Sequence, residues 1–345
     1  MTASAPPRIA IYGVGQYGSL IARMATEKGW PVVAAFNRAG PKVGQDLGRV
    51  AGLGRELGVI VEDNESGDYD GLDADIGVVT HQDLLRFNME AYRRFMGAGL
   101  NIACHGGQSY LPQTNDPELA AEIEGLAIAN GVTFTGGGIW DMSRIWAGVL
   151  TAGPCTDITA LHHSSLTDPE GQLLSLTRGS AFNRSPEDFY ERGLDKSPVL
   201  MAHKAIPELV VRKLGYTVVR SDATAEPVVY DVPVETRLIP GGRFEAGVCV
   251  GVRTRLEVMT AEGVVATASI EQRMFRPGDV EHMVWEVQGT PRNRIRVERL
   301  DSAEATAGNL FNRIPDVIDA PPGIVPVTEL GPLMSSAARW PTSPA

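Results

Sequence analysis

The chain has 345 residues, 43% of them hydrophobic and 21% charged, and a formal net charge of −11. That length can bury a large core and favours two domains, while the acidic balance argues against general binding of nucleic acid or anionic membrane. No apolar run approaches the roughly 20 residues of a membrane span, and the opening MTASAPPR lacks a signal-peptide core, so it reads as a short disordered leader.

Ile9 to Gly18, IAIYGVGQYG, is the stretch around which the chain is organised. Apolar β-formers run into Gly13-x-Gly15-x-x-Gly18, and Leu20, Ile21, Met24 and Ala25 then fall at helical spacing. Strand, tight turn and helix in that order form a dinucleotide-binding turn. Gly13 allows the turn, Gly15 lets a pyrophosphate approach, and Gly18 lets the helix pack on the strand. Gln16 and Tyr17 lie within that turn, where the helix N-terminus offers N–H groups to phosphate.

Pro31 to Phe36 reads as a second buried strand, ending at Asn37-Arg38. An NAD-specific fold usually carries a carboxylate at this place to hold the ribose 2′-OH. Here Asn37 can bond the ribose or its phosphate and Arg38 can pair with a 2′-phosphate, which points to NADP, or to use of both NADP and NAD. The alternative is that Arg38 is a solvated loop cation.

Residues 41–58 read as a short helix and loop, 59–61 and 74–80 as strands, 84–98 as a helix and 100–104 as a strand. Residues 117–130 are expected to be helical, with a strand at 132–135. This alternation from residue 8 to about 150 predicts an α/β, doubly wound parallel sheet. Loops 105–110 and 136–140 leave the carboxyl ends of late strands, where ligands bind in such sheets. Thr80 and His105, each at the end of a strand, are assigned to the cofactor.

From residue 151 to 301 the pattern becomes that of a second, α+β domain for substrate and dimerisation. Strands are expected at 157–166, 217–221, 228–238, 244–259, 264–274 and 283–287, giving a mixed, mainly antiparallel sheet. Ser185-Pro186 reads as a helix start, and 199–214 as one helix. Pro240-Gly-Gly242 and Glu262-Gly263 mark hairpin connections. Residues 303–314 read as a helix broken at Ile314-Pro315. The segment 302–345 is expected to return to the first domain. A free sheet face suits a homodimer.

Zinc, P-loop and nucleophile-elbow motifs are missing, so a cofactor would carry the redox chemistry and no metal is expected. Cys104, Cys155 and Cys249 show neither metal nor disulfide spacing. Each reads as a buried small residue in a reducing cytoplasm. Candidate proton movers are His81, His105, His162 and His163, with Tyr110 and Tyr190 weaker. A histidine on a strand is more often a packed core residue. Trp140 and Trp146 share a helix and read as packing, with Trp140 also a candidate pocket wall.

IAIYGVGQYG, PVVAAFNRAG, CHGGQSY, TFTGGGIWDMSRIW and NLFNRIPDVIDAPPG together resemble the native NAD(P)-dependent amine dehydrogenases. These are relatives of 2,4-diaminopentanoate dehydrogenase and, more distantly, of dihydrodipicolinate reductase. The resemblance covers nearly the whole chain. It implies an N-terminal Rossmann domain, a second dimerisation domain, and reductive amination of small ketones and aldehydes with ammonia, or the reverse. Trp140, His163 and Thr306 are the pocket candidates. In that family the CHG-x-x-S-Y loop carries a glutamate where this chain has Gln108. A glutamine keeps the shape and the hydrogen bonds but cannot take up a proton, so imine or carbonyl reduction can survive where the ammonia step is impaired. Gln108 is either a natural variant with altered chemistry or an engineered substitution. His162-His163 is similar to the double histidine of the reductases, but the following lysine and Ser-Gly-Thr signature are missing. The alternative from another class is a non-catalytic NAD(P)-binding regulator.

Overall fold

The computed structural model describes residues 5–170 and 181–335. The first four residues of the expected leader and the last ten of the chain lie outside that range. The chain divides into two compact units, residues 1–141 with 303–345, and residues 142–302.

The first unit opens with β1 (Ile9–Tyr12), α1 (Gln16–Lys28), β2 (Val32–Asn37), α2 (Leu47–Val50), β3 (Val61–Asp63) and β4 (Ile76–Val79). It continues through α3 (Leu85–Gly97), β5 (Asn101–Cys104), α4 (Pro112–Asn115), α5 (Pro117–Asn130) and β6 (Thr133–Gly136). The ends of α5 follow from its sequence. Asp116 accepts the N–H of Leu119, Pro117 takes the first helical position, and Gly131 closes the helix at φ +66°.

A wide π-turn, Asp141–Trp146, leads into α6 (Ala147–Ala152) and the second unit. There follow β7 (Asp157–Thr167), α7 (Pro186–Glu191), α8 (Pro198–Met201), α9 (Ala205–Lys213) and β8 (Val218–Val229). Next come β9 (Val234–Glu235), β10 (Arg243–Phe244), β11 (Cys249–Thr260), β12 (Val265–Arg273), β13 (His282–Thr290) and β14 (Asn293–Glu298). The chain then enters α10 (Ser302–Ile318) and adds β15 (Gly323–Ile324) beside β6.

Among the described residues the first unit holds a seven-stranded sheet in the order β15-β6-β5-β4-β1-β2-β3, with every pair parallel. Helices cover both faces, which is why its central strands β1 and β4 are apolar and buried throughout. Ile9, Ile11 and Val78 pack with Leu20 and Ile21 of α1 and Leu310, Phe311 and Ile314 of α10. Ala10, Val79 and Ile102 pack on the opposite side with Tyr92 and Phe95 of α3 and Ile123 of α5.

The second unit's sheet runs β14-β13-β7-β12-β11-β8. It is antiparallel except where β7 and β12 run parallel. Its helix-covered face carries Trp285, fully buried, whose indole donates to the carbonyl of Arg144 at 2.6 Å. A side chain at Gly148 would meet that indole at 2.8 Å, so glycine brings α6 close to the sheet. Ser185 caps α7 by accepting the N–H of Asp188, as its sequence suggests.

Several expected elements differ. The helix over 199–214 is two helices joined by a tight 3₁₀ turn, Ala202–Lys204. Pro207 has no N–H to donate to His203, which favours the tighter turn. The strand expected at 217–221 extends to Val229 because β8 pairs with β11 along its length, drawing in the polar stretch from Asp222 to Glu226. The expected strand 228–238 is thereby lost, apart from β9, and 244–259 splits into β10 and β11. The edge strand β14 was not expected. Its half-buried Ile295 and Val297 alternate with exposed, mostly charged side chains. Pro315 lies inside α10, which continues to Ile318. Burial of Ile314 and Val317 offsets the one missing hydrogen bond. Cys104 and Cys249 are buried, whereas Cys155 is half-exposed beside the carbonyl of Pro291.

Candidate functional site

The glycine turn has the shape that an anion needs. Gly13 adopts φ +97°, and a Cβ there would lie 3.1 Å from the backbone of His81. A Cβ at Gly18 would run into the carbonyl oxygen of Gly13. At Gly15 a Cβ would meet nothing within 4 Å, so open space lies over the start of α1. No side chain caps α1 and its first turn holds no acid, which suits a phosphate at the backbone N–H groups of its first turn. Thr80 closes the turn from the neighbouring strand by donating to the carbonyl of Gly13 at 2.6 Å.

At the end of β2 the Asn37 side chain accepts the N–H of Val14 at 3.1 Å and donates to the carbonyl of Arg38. Asn37 therefore ties the end of β2 to the glycine turn. Arg38 is exposed, and its charge helps burial to hold the His81 imidazole below its usual value, burial being the larger cause. Lys42 reaches back to donate to the carbonyl of Val14 at 2.5 Å. Sequence reasoning missed Lys42. Its only signal was a cation in the Gly-rich stretch after β2.

Farther along the carboxyl edge, the His105 ring lies 4.9 Å from that of Tyr17 and its Nδ1 is buried without a partner. Burial lowers its proton affinity. Gln108 sits on a 3₁₀ turn, Gly107–Tyr110, and is 8% exposed. Its Oε1 accepts the N–H of Leu85 at 3.0 Å, the first residue of α3. That bond identifies the oxygen and makes Nε2, with its two protons, the donor end of the amide.

Tyr110 stacks on Trp140 at 5.0 Å and its hydroxyl accepts the Trp140 N–H. The next residue, Asp141, is fully buried and takes both Nε and Nη2 of Arg313 on α10, at 2.6 and 2.9 Å. Arg313 also pairs with Asp316 at 2.9 Å. The loop 136–140 is thus clamped at its carboxyl end, with its glycines against α10. A Cβ at Gly138 would meet Thr306 at 3.5 Å. The Asp141–Arg313 pair was also missed, although both residues lie in the quoted stretches TFTGGGIWD and NLFNRIPDV.

The structure gathers Gly13, Gly15, Gly18, Asn37, Thr80, His105 and Gln108 after the strands of one sheet, at its carboxyl edge. His163 belongs to the second unit. There it is buried beside Trp285, at 4.8 Å between rings, with neither ring nitrogen hydrogen-bonded. Burial, then the Arg144 charge, lowers its proton affinity well below the usual histidine range. His162 is exposed and bonds Thr267, and Tyr190 is exposed.

No protein-family model matches the sequence, and no curated protein matches it. Among solved structures, an amine dehydrogenase from Mycobacterium smegmatis is similar at 28% identity, covering 97% of this chain and 98% of that one, with a TM-score of 0.86. A myo-inositol 2-dehydrogenase from Lactobacillus plantarum shares the fold at 15% identity, 91% and 89% coverage and a TM-score of 0.56. A biliverdin reductase from Synechocystis, solved with biliverdin and NADP+, shares it at 10% identity, 94% and 95% coverage and a TM-score of 0.52. The chain is an NAD(P)-dependent oxidoreductase, similar over nearly its whole length to that amine dehydrogenase.

Proposed function

We propose that the chain transfers hydride between NAD(P)H and the carbon of a small carbonyl, imine or amine, in the manner of an amine dehydrogenase. The reaction would be reductive amination of ketones or aldehydes with ammonia, reversible to amine oxidation. The observation that carries this reading is the end-to-end similarity to an amine dehydrogenase at 28% identity. Open space above Gly15 and the uncapped start of α1 fit a pyrophosphate. When bound, the nicotinamide supplies the hydride. The chain's own residues hold and orient. Thr80 and Asn37 fix the turn, and the Trp140–Tyr110 stack offers a flat apolar wall for a small substrate.

Gln108 occupies the proton-relay position in this reading. Its amide can hold a carbonyl oxygen or imine nitrogen through Nε2, but it cannot accept a proton from ammonium near neutral pH. Ammonia-dependent turnover would therefore be slow, and direct reduction of a carbonyl or preformed imine would persist. No helix among the described residues is long and apolar enough to cross a membrane. We place the protein in the cytoplasm, as a homodimer built on the second unit's sheet, on the basis of its cysteine usage and strand-rich second half.

The test is product analysis. Incubation with NADPH, a panel of small ketones and ¹⁵N-ammonia should give labelled primary amine, together with the alcohol from direct reduction. Cofactor binding with neither product would favour a non-catalytic NAD(P)-binding regulator.

A further inference from the structure

We infer that Lys42 and Arg38 form a two-cation clamp for the 2′-phosphate of NADP, with Lys42 the specificity-determining residue. The inference rests on the cofactor assignment and not on the reaction. The end of β2 carries Asn37 where a ribose-binding carboxylate would stand. Both functional atoms of that amide already bond the backbone, Oδ1 to Val14 and Nδ2 to Arg38. The nearest carboxylate in the sheet is Asp63, paired in register with Asn37 on β3. Its Oδ1 accepts the N–H groups of Glu65 and Ser66, which turns it to its own loop.

Two cations, Arg38 and Lys42, lie in the stretch that follows β2. The ammonium of Lys42 lies 2.5 Å from the carbonyl of Val14, the residue whose N–H is held by Asn37. Lys42 and the end of β2 therefore meet on one residue of the glycine turn. A carbonyl engages one of three ammonium protons and leaves two for an anion. Arg38 is exposed, and its charge is felt at His81, whose backbone lies against Gly13. Neither cation forms an ion pair with a carboxylate among the described residues. A doubly charged phosphate ester at this spot would accept charge-assisted hydrogen bonds from both. A ribose hydroxyl would gain little from either.

Calorimetric titration of the full chain with NADPH and NADH tests this, with 2′,5′-ADP and 5′-ADP as competing probes. The native chain should bind NADPH at least tenfold more tightly than NADH, and 2′,5′-ADP should displace NADPH far better than 5′-ADP. Lys42→Met should weaken NADPH about ten- to hundredfold while changing NADH less than threefold, and Lys42→Arg should keep the preference. Arg38→Ala should also weaken NADPH more than NADH. Equal losses for both cofactors on Lys42→Met would show that Lys42 only staples Val14 and would overturn the inference. So would a native chain without cofactor preference. The competition with 2′,5′-ADP decides the matter even if Lys42→Met fails to fold.

Discussion

The amide oxygen of Gln108 is bonded at 3.0 Å to the N–H of Leu85, the first residue of α3. One side chain thus joins the loop after β5 to the start of a 13-residue helix. Gln108→Glu should raise ammonia-dependent ketone reduction, on the hundred- to ten-thousand-fold scale of general acid–base catalysis. The Leu85 N–H and the α3 dipole would favour the ionised carboxylate. The gain should therefore persist across neutral pH and vanish only in acid. Cofactor affinity should barely change. Steady-state rates of both forms across pH, with ammonia and a ketone panel, give the answer. A glutamate form no faster at any pH, with cofactor still bound, removes Gln108 from the proton-relay position.

The glycine turn separates folding from binding. Gly18→Ala puts a Cβ into the carbonyl of Gly13 and should lower the melting temperature. Gly15→Ala meets no atom of the protein, so it should leave the melting temperature of the cofactor-free chain within a degree or two while weakening NADPH at least tenfold. Thermal melts with and without NADPH measure both. A Gly15→Ala chain that binds normally would place the pyrophosphate elsewhere.

Arg313→Met leaves the Asp141 carboxylate buried and unpaired, which should cost about 3–5 kcal/mol. Asp141→Leu with Arg313→Met should recover much of that loss, because the double change removes both buried charges. Urea denaturation of the single and double variants checks the expected non-additivity. Equal losses in both would mean that the pair does not act as a unit.

Part of the acid sensitivity should trace to the second unit. Burial, then the Arg144 charge, pushes His203 down to about 4, and the same two causes hold His163 well below its usual value. Each binds fewer protons folded than unfolded, so protonation favours unfolding. Stability should be full above the unfolded value of about 6.5 and fall as pH drops from there toward 4. His203→Gln should flatten that slope. Denaturation midpoints at intervals from pH 8 to pH 4.5 test it, and an unchanged slope would assign the acid loss to other groups.

The homodimer should appear in light scattering at micromolar concentration as a mass near twice the 37.0 kDa chain. A monomer would remove the second unit's sheet as an interface.

The parallel sheet was legible because its central strands are buried on both faces and α5 carries its own end signals in Asp116, Pro117 and Gly131. The second sheet was less so. Asp222 to Glu226 is strand only because β11 lies beside it, and no local pattern carries that pairing. At the sheet's carboxyl edge, the glycines and Asn37 stand out in the sequence by position, and Gln108 through the resemblance of its loop. Lys42 and the Asp141–Arg313 pair do not. Lys42 reaches back across 28 residues, and the ion pair joins positions 172 apart in the chain.

Hydride transfer in the manner of an amine dehydrogenase can be read from the rate of NADPH oxidation with a small ketone, measured on the native chain with and without ammonia. Slow but measurable turnover is expected in both, with a primary amine formed only when ammonia is present. Tight NADPH binding with no oxidation of the cofactor under either condition would contradict that chemistry.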